Sequence, residues 1–335
     1  MRHLLVLALV CLVPISVLAA EWEEFLEEKG IRGYARSVGD SSLLEVRATL
    51  VIPAKIEVVG EVLRDVENLA RPGTNCIEAR FIEKPDRNHY TFYVAYSTPW
   101  PISDRDVVMK AAIRYDLALG RVVADLVAVK EPVVPLREGF VRITDLRAQF
   151  VIEYLSRDKT GLIYTSRTDP GGSIPTFLVN HSNKSSLRTN VIDLRSAAKD
   201  GKYIAAGASS PDRELVERLA ADEARLTEIV TNRLSGFISD RALISTFVAD
   251  RSVVTSLIKG DGKVGEILLH GWGSPESKRE AVKVLLAELL ANHTDNQAAI
   301  DLFVSDDDLI DSILFRKRGS NRVEAFIFQF RKKDE

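Results

Sequence analysis

Along this chain the spacing of hydrophobic residues changes character twice. From Leu43 to Ile52, the residues Leu44, Val46, Ala48, Leu50 and Ile52 alternate with mostly polar neighbours, the two-residue period of a half-buried strand. Gly33–Ser37 reads as a strand before it, and Glu21–Lys29 as a short helix before that. Pro53 stops the run. Ile56, Val59, Val62 or Leu63, and Val66 then recur at helical spacing up to Leu69, and Arg71-Pro72-Gly73 ends that helix. Strand patterns follow one after another at Ala79–Glu83, Tyr90–Tyr96, Val107–Tyr115, Val122–Val129, Gly139–Asp145, Ala148–Leu155 and Leu162–Thr168. Pro85-Asp86-Arg87-Asn88, the stretch from Asp116 to Gly120, and Arg157-Asp158-Lys159-Thr160-Gly161 supply the hairpin turns between them.

The strand period ends at Asp169-Pro170-Gly171-Gly172, where proline removes a donor and glycine permits positive φ. A long helix starts near Pro175, a residue suited to a first helical turn. Phe177, Leu187, Val191 and Leu194 fall near one face of it, with Asn180 and Lys184 among them. An apolar stripe interrupted in this way suits a helix that closes a cavity, since it need not pack tightly along its whole length. The pattern as a whole predicts an α+β domain, one antiparallel sheet flanked by helices. Aromatic residues share one strand parity: Tyr90, Phe92, Val94 and Tyr96 lie on one face, as do Phe150, Ile152 and Tyr154. Such residues fill an ordinary core or line a ligand pocket, which is typically apolar with a few convergent polar groups.

From Ser210-Pro211 onward the period is helical. One helix carries Leu215, Leu219, Leu226, Val230 and Phe237; a second opens at Ser274-Pro275 and carries Val282, Leu285, Leu286, Leu289 and Leu290. Sliding this region against itself by 56 residues lays Phe247–Ile258 over Phe303–Leu314, and Leu226, Ile229, Val230 and Leu234 over Val282, Leu285, Leu286 and Leu290. The expectation is a duplicated unit of about 56 residues over 210–318, weakly similar to armadillo or HEAT repeats. A tail, 319–335, follows it, in which Phe326–Phe330 reads as an added strand or an apolar cap.

The amino terminus changes the picture of where the protein works. Met1-Arg2-His3 precedes seventeen uncharged residues, Leu4 to Ala20, ending in Val17-Leu18-Ala19-Ala20. This reads as a cleaved signal peptide over 1–20 and a secreted or periplasmic protein, the alternative being an uncleaved membrane anchor. A formal net charge of −3 and the lack of a long basic run give no support to a nucleic-acid partner. Cys76 is the one cysteine outside the leader, so no internal disulfide is expected.

Three blocks, in order and spacing, resemble START lipid-transfer domains: Leu63–Leu69, Thr98-Pro99-Trp100-Pro101-Ile102-Ser103-Asp104-Arg105-Asp106-Val107-Val108, and Asp169–Asn180. The resemblance covers roughly residues 22–200, with the domain drawn at 21–202, and leaves the last third of the chain outside. It implies a helix-grip fold, a curved antiparallel sheet around a long C-terminal helix. It also implies a cavity for one apolar lipid (sterol, phospholipid or fatty acid), no cofactor and no metal. The residues expected around that lipid are Phe92, Val94, Tyr96, Trp100, Phe150, Ile152, Tyr154, Phe177, Asn180, His181, Leu187 and Val191. Two prolines hold the Trp100 loop extended; the resemblance places that loop by the cavity mouth, with the indole against ligand or against bilayer headgroups in a transient membrane contact, the alternative being a packed anchor of the loop. Arg105 is expected to be held by a neighbouring carboxylate.

No histidine makes a metal-ligand spacing with another histidine, cysteine or carboxylate, and His181 is the sole candidate for acid–base work. Binding is favoured over catalysis. Aromatase/cyclase enzymes share the architecture, so a cyclase-type enzyme is the alternative. A third reading is an adaptor that binds a protein partner through residues 210–318.

Overall fold

The structure, a computed structural model, describes residues 20–70, 75–131, 133–250, 268–316 and 319–330. The leader and the segment 251–267, which holds most of the first copy of the duplicated stretch, lie outside the described residues.

Ten strands form one antiparallel sheet with a single parallel pairing. They are β1 (Glu23–Glu28), β2 (Ile31–Val38), β3 (Ser41–Ile52), β4 (Cys76–Glu83), β5 (His89–Tyr96), β6 (Asp104–Asp116), β7 (Arg121–Ala128), β8 (Phe140–Ile143), β9 (Asp145–Ser156) and β10 (Lys159–Asp169). Their order is β1-β2-β3-β10-β9-β7-β6-β5-β4, with β8 lying parallel beside the start of β6. The strand pattern of the sequence is thus recovered, with one correction. Glu21–Lys29, expected as a helix, is the edge strand β1 paired with β2. A bulge between Glu24 and Leu26 breaks the two-residue alternation, leaving Trp22, Phe25 and Leu26 at a spacing that imitates a helix. Its glutamates blunt an exposed sheet edge.

Helix α1 (Ile56–Arg64) follows β3 and stops earlier than the sequence suggested, a short 3₁₀ turn at Glu67–Leu69 completing the segment. Helix α2 (Thr176–Ala197) packs on β2, β3 and β10. Leu187, Val191 and Leu194 enter one core with Val46, Ala48, Leu50, Leu162 and Tyr164. A second core on the same face of the sheet is built from Tyr90, Phe92, Val94, Val107, Met109 and their neighbours on β4 to β8.

Among the described residues the remainder is helical: α3 (Gly201–Ala208), α4 (Asp212–Ala221), α5 (Glu223–Ser235), α6 (Arg241–Ala249), α7 (Pro275–Ala291), α8 (Gln297–Val304), α9 (Asp307–Asp311) and α10 (Ser320–Phe330). Ser274 caps α7 by accepting from the Ser277 amide, as its sequence promised. Phe326–Phe330 belongs to a helical cap and not to a strand: Val323 and Phe326 of α10 enter the same core as α6 and α7.

This array is seated on the outer face of the sheet. Leu269 packs among Val123, Val151 and Ile163, residues of the opposite parity to the inner wall. Arg47 donates to the Trp272 carbonyl at 2.7 Å, and the Tyr34 hydroxyl meets Ser277 Oγ at 3.1 Å. Arg233 spends its guanidinium on three carbonyls, those of Leu119 and Gly120 in the β6–β7 turn at 2.9 and 3.0 Å and that of Tyr154 on β9 at 2.9 Å. On the other flank Asp212 accepts from Arg64 and Arg87, both at 3.2 Å.

The proposed equivalence of the two helical units is only partly matched. Leu226 and Ile229 belong to the core of the sheet domain, whereas their counterparts Val282 and Leu285 lie in the core of the array. Phe247 is fully buried, while Phe303 is half-buried against Phe326, ring centroids 4.4 Å apart. The first unit is drawn onto the sheet, so equivalent positions meet different neighbours.

Candidate functional site

The inner face of the sheet is one apolar wall, and α2 covers mainly its β2–β3–β10 half. Phe92, Val94 and Tyr96 line the far half on β5, Phe150 bridges the two cores, and Ile152 and Tyr154 pack toward Ile56 and Val59 of α1. Phe150 stacks on Tyr164 with centroids 4.3 Å apart. Among these inward residues Tyr96, Phe150, Leu126, Leu146 and Ala148 keep accessible surface, on the strands that α2 covers least. Burial nonetheless pushes the Tyr96 phenol well above its ordinary pKa.

The polar groups along this wall were not all foreseen. Tyr164 is also buried and its pKa raised, with the Ser166 and Asn190 side chains acting on its hydroxyl in the opposite sense. Asn190 follows Asn183 by seven residues, two turns on one side of α2, and Asn183 donates to the Thr168 carbonyl at 3.2 Å. This polar side of α2 turns toward β10. The sequence signal was present as an Asn-x6-Asn spacing, but without the helix's orientation nothing distinguished it from a solvated face. Asn180, expected at the ligand, instead holds the β2–β3 hairpin, accepting from the Leu44 amide at 2.9 Å and donating to the Ser42 carbonyl at 3.0 Å. His181 is exposed, and Leu187 and Val191 are buried. Phe177, read as part of the apolar stripe, is 70% exposed; Val179 is the buried residue of that turn.

The mouth is organised by one arginine. The Thr98–Asp104 loop is closed by the Thr98 amide donating to Asp104 Oδ1 (2.9 Å) and the Thr98 hydroxyl donating to the Ile102 carbonyl (2.8 Å). Trp100 stands at its tip, 92% exposed. Arg105, at the loop's base, donates to the carbonyls of Ser103, Pro170 (3.3 Å) and Gly171 (3.1 Å). The expected carboxylate pairing is therefore corrected. Successive strand residues point to opposite faces, so Asp106 turns outward, where its carboxylate receives Arg142 at 2.7 and 2.9 Å and the Tyr93 hydroxyl at 3.1 Å. Burial lowers the Arg105 pKa, with Asp104 partly opposing it. Gly171 and Gly172 have φ of +67° and +75°, a conformation natural to glycine, so the hinge before α2 is tied to the Trp100 loop.

Little here suits covalent chemistry. Among the described residues no three His, Cys, Asp or Glu side chains form a group that could hold a metal. Burial raises the Cys76 thiol pKa, which disfavours the thiolate. His89 sits on Asp86 at 3.0 Å in solvent.

A curved antiparallel sheet gripping a long helix that follows its last strand defines a helix-grip domain. The START domain family model matches residues 14–197, and the chain belongs to that family. It is 28% identical over 185 residues to an uncharacterized protein of Pseudomonas aeruginosa, covering 55% of this chain and 90% of that one. It is 26% identical over 171 residues to mouse START domain-containing protein 10, covering 49% of this chain and 56% of the relative. A crystal structure of a STAR-related lipid transfer protein fragment from Xanthomonas axonopodis superposes with a TM-score of 0.50 at 28% identity, covering 54% of this chain and 99% of that one.

Proposed function

We propose that this protein is an exported lipid carrier that holds one lipid between α2 and the inner wall and exchanges it at a membrane. The observation that carries the reading is the inward wall on β5, β9 and β10, apolar but for a few hydroxyl groups, with Arg105 bound across its Tyr96 end. The hydrophobic effect supplies the affinity, about 25 cal/mol for each Å² of apolar surface removed from water. Trp100 and Phe177 rise exposed from the two segments that Arg105 joins, and together suit a transient contact with headgroups. Membership of the START family and the similarity to the Xanthomonas axonopodis STAR-related lipid transfer protein support lipid binding. Export rests on the Leu4–Ala20 segment and its small-residue end; no helix among the described residues is long and apolar enough to cross a membrane. Native mass spectrometry of the protein purified from its own cells should find a co-purifying lipid, and sequencing should place the mature N-terminus at Ala20, Glu21 or nearby. An empty protein with its leader intact, recovered from the cytosol, would sink both halves of the reading.

A second reading, a protein partner on the helical array, is favoured by the exposed Leu302, Phe315 and Phe328. Replacing Leu302 and Phe328 by Ser tests it, because a carrier acting alone keeps its full lipid exchange.

A further inference from the structure

We propose that residues 133–139 form a third bilayer-inserting element beside the Trp100 loop and the start of α2, with Leu136 as its wedge. The inference rests on the carrier reading above and deepens its membrane contact. Strands β6 and β8 run parallel, with Asp104 level with Phe140 and Arg105 level with Val141. The segments that lead into them, 98–103 and 133–139, therefore leave the sheet at the same end. The hinge after β10 lies at that end too: the Gly171 carbonyl accepts from Arg105 at 3.1 Å, and a Cβ added to Gly171 would stand 3.3 Å from Val141 Cγ1. Three separate pieces of chain thus emerge together, and each carries a large exposed apolar side chain: Trp100, Phe177 and Leu136, the last 74% exposed. One such side chain is ordinary on a protein surface, whereas several gathered at one end mark a contact site.

Leu136 is held in this position from both sides. Arg142 donates to the carbonyls of Val134 and Pro135, both at 3.1 Å, and is itself fixed at 2.7 Å to the buried carboxylate of Asp106. Val134 packs into the outer-face cluster of Tyr93, Ala95, Val108 and Val129. On the far side Arg137 binds Glu78 at 3.1 Å and lies over the Phe140 ring. The leucine between these anchors is kept in water, from which its removal is favourable. A bilayer is the partner that fits, because the three tips surround the hinge of α2, where the carrier reading passes its lipid, and an indole suits the headgroup layer. The charges of the segment balance, Lys130 and Arg137 against Glu131 and Glu138, so Leu136 acts by apolar insertion and not by attraction to anionic lipid.

The test floats the purified protein with vesicles of dioleoylphosphatidylcholine, alone or mixed with phosphatidylglycerol. Leu136→Ser should lower the partition constant about tenfold, much of what removing a leucine from water is worth, with an unchanged Tm. The factor should be the same on both compositions. Leu117→Ser, in the exposed β6–β7 turn at the opposite end of β6, should leave partition as it is. A dye that is bright only out of water, carried on Leu136→Cys, should light up on the vesicles and be quenched by brominated lipid chains. That signal reads insertion directly should the serine variant lose stability. Wild-type binding that Leu136→Ser leaves unchanged, with a dye that stays dark, overturns the third element and leaves the carrier reading standing. A loss confined to the phosphatidylglycerol vesicles overturns the apolar mode of contact. A wild-type protein that binds neither vesicle overturns the membrane contact of the carrier reading itself.

Discussion

Arg105→Ala should make lipid exchange faster, not slower. The guanidinium binds the Trp100 loop to the Gly171-Gly172 hinge through the carbonyls of Ser103, Pro170 and Gly171. Any rotation at those glycines swings the two hinge carbonyls away from it, so the bonds stabilise the closed position of α2. A hydrogen bond to a charged group is worth about 1.5–3 kcal/mol. Pro170 and Gly171 are only half-buried, and water replaces part of what is lost, which holds the net change to about 2 kcal/mol. An opening equilibrium shifted by that amount populates the open form roughly 30-fold more. If opening limits exchange, transfer of a fluorescent lipid between vesicles should accelerate by about the same factor. Hydrogen exchange at the amides of residues 171–174 should lose protection in parallel. Arg105→Lys retains the charge without the planar fork and should fall between. Transfer and amide protection both unchanged in Arg105→Ala would show that α2 does not open at this hinge.

Phe247→Ala should cost about 3–5 kcal/mol in denaturant unfolding, as for other fully buried aromatics, and Phe303→Ala about half as much because that ring is half-buried; equal losses would restore the strict duplication. His270 gives a pH dependence: burial holds its pKa near 4, against an ordinary value of 6.5. Between those values the unfolded chain binds a proton that the folded chain does not. Stability should therefore be full above pH 6.5 and fall by up to about 3 kcal/mol as pH drops toward 4. His270→Gln should flatten that part of the curve, and a wild-type curve already flat there would contradict the burial of the ring.

Much of the fold was legible because strand alternation and turn chemistry agree along residues 31–172. Leu44 to Ile52 and Tyr90 to Tyr96 face inward as their parity requires. What escaped was set by partners distant in sequence. Glu21–Lys29 has the composition of a helix, but pairing with β2 and a bulge made it a strand. Arg105 sits between two carboxylates in sequence, and alternation carried both to places where they do not bind it. On α2 the identity of the polar residues was plain, yet which of them meets the lipid depends on the roll of the helix. That roll is fixed by Leu187, Val191 and Leu194 against the sheet. Asn180 was therefore the conspicuous asparagine and Asn190 the one beside Tyr164.

The covering of the outer face also bears on how the cavity can change shape. In an uncovered grip the sheet itself can flex outward to admit a bulky guest. Here Leu269 is wedged between Val123, Val151 and Ile163, and Arg233 straps the β6–β7 turn to β9 from behind. The back of the vessel is splinted, and deformation is channelled to the unbraced side, where the glycine pair precedes α2. Under the carrier reading proposed above, volume would then be gained chiefly by lifting α2, and cargo size would be limited by wall dimensions set when the helical third docks. Loosening that splint, for example with Leu269→Ala, should broaden the range of lipid shapes accepted before it alters the rate at which any one is exchanged.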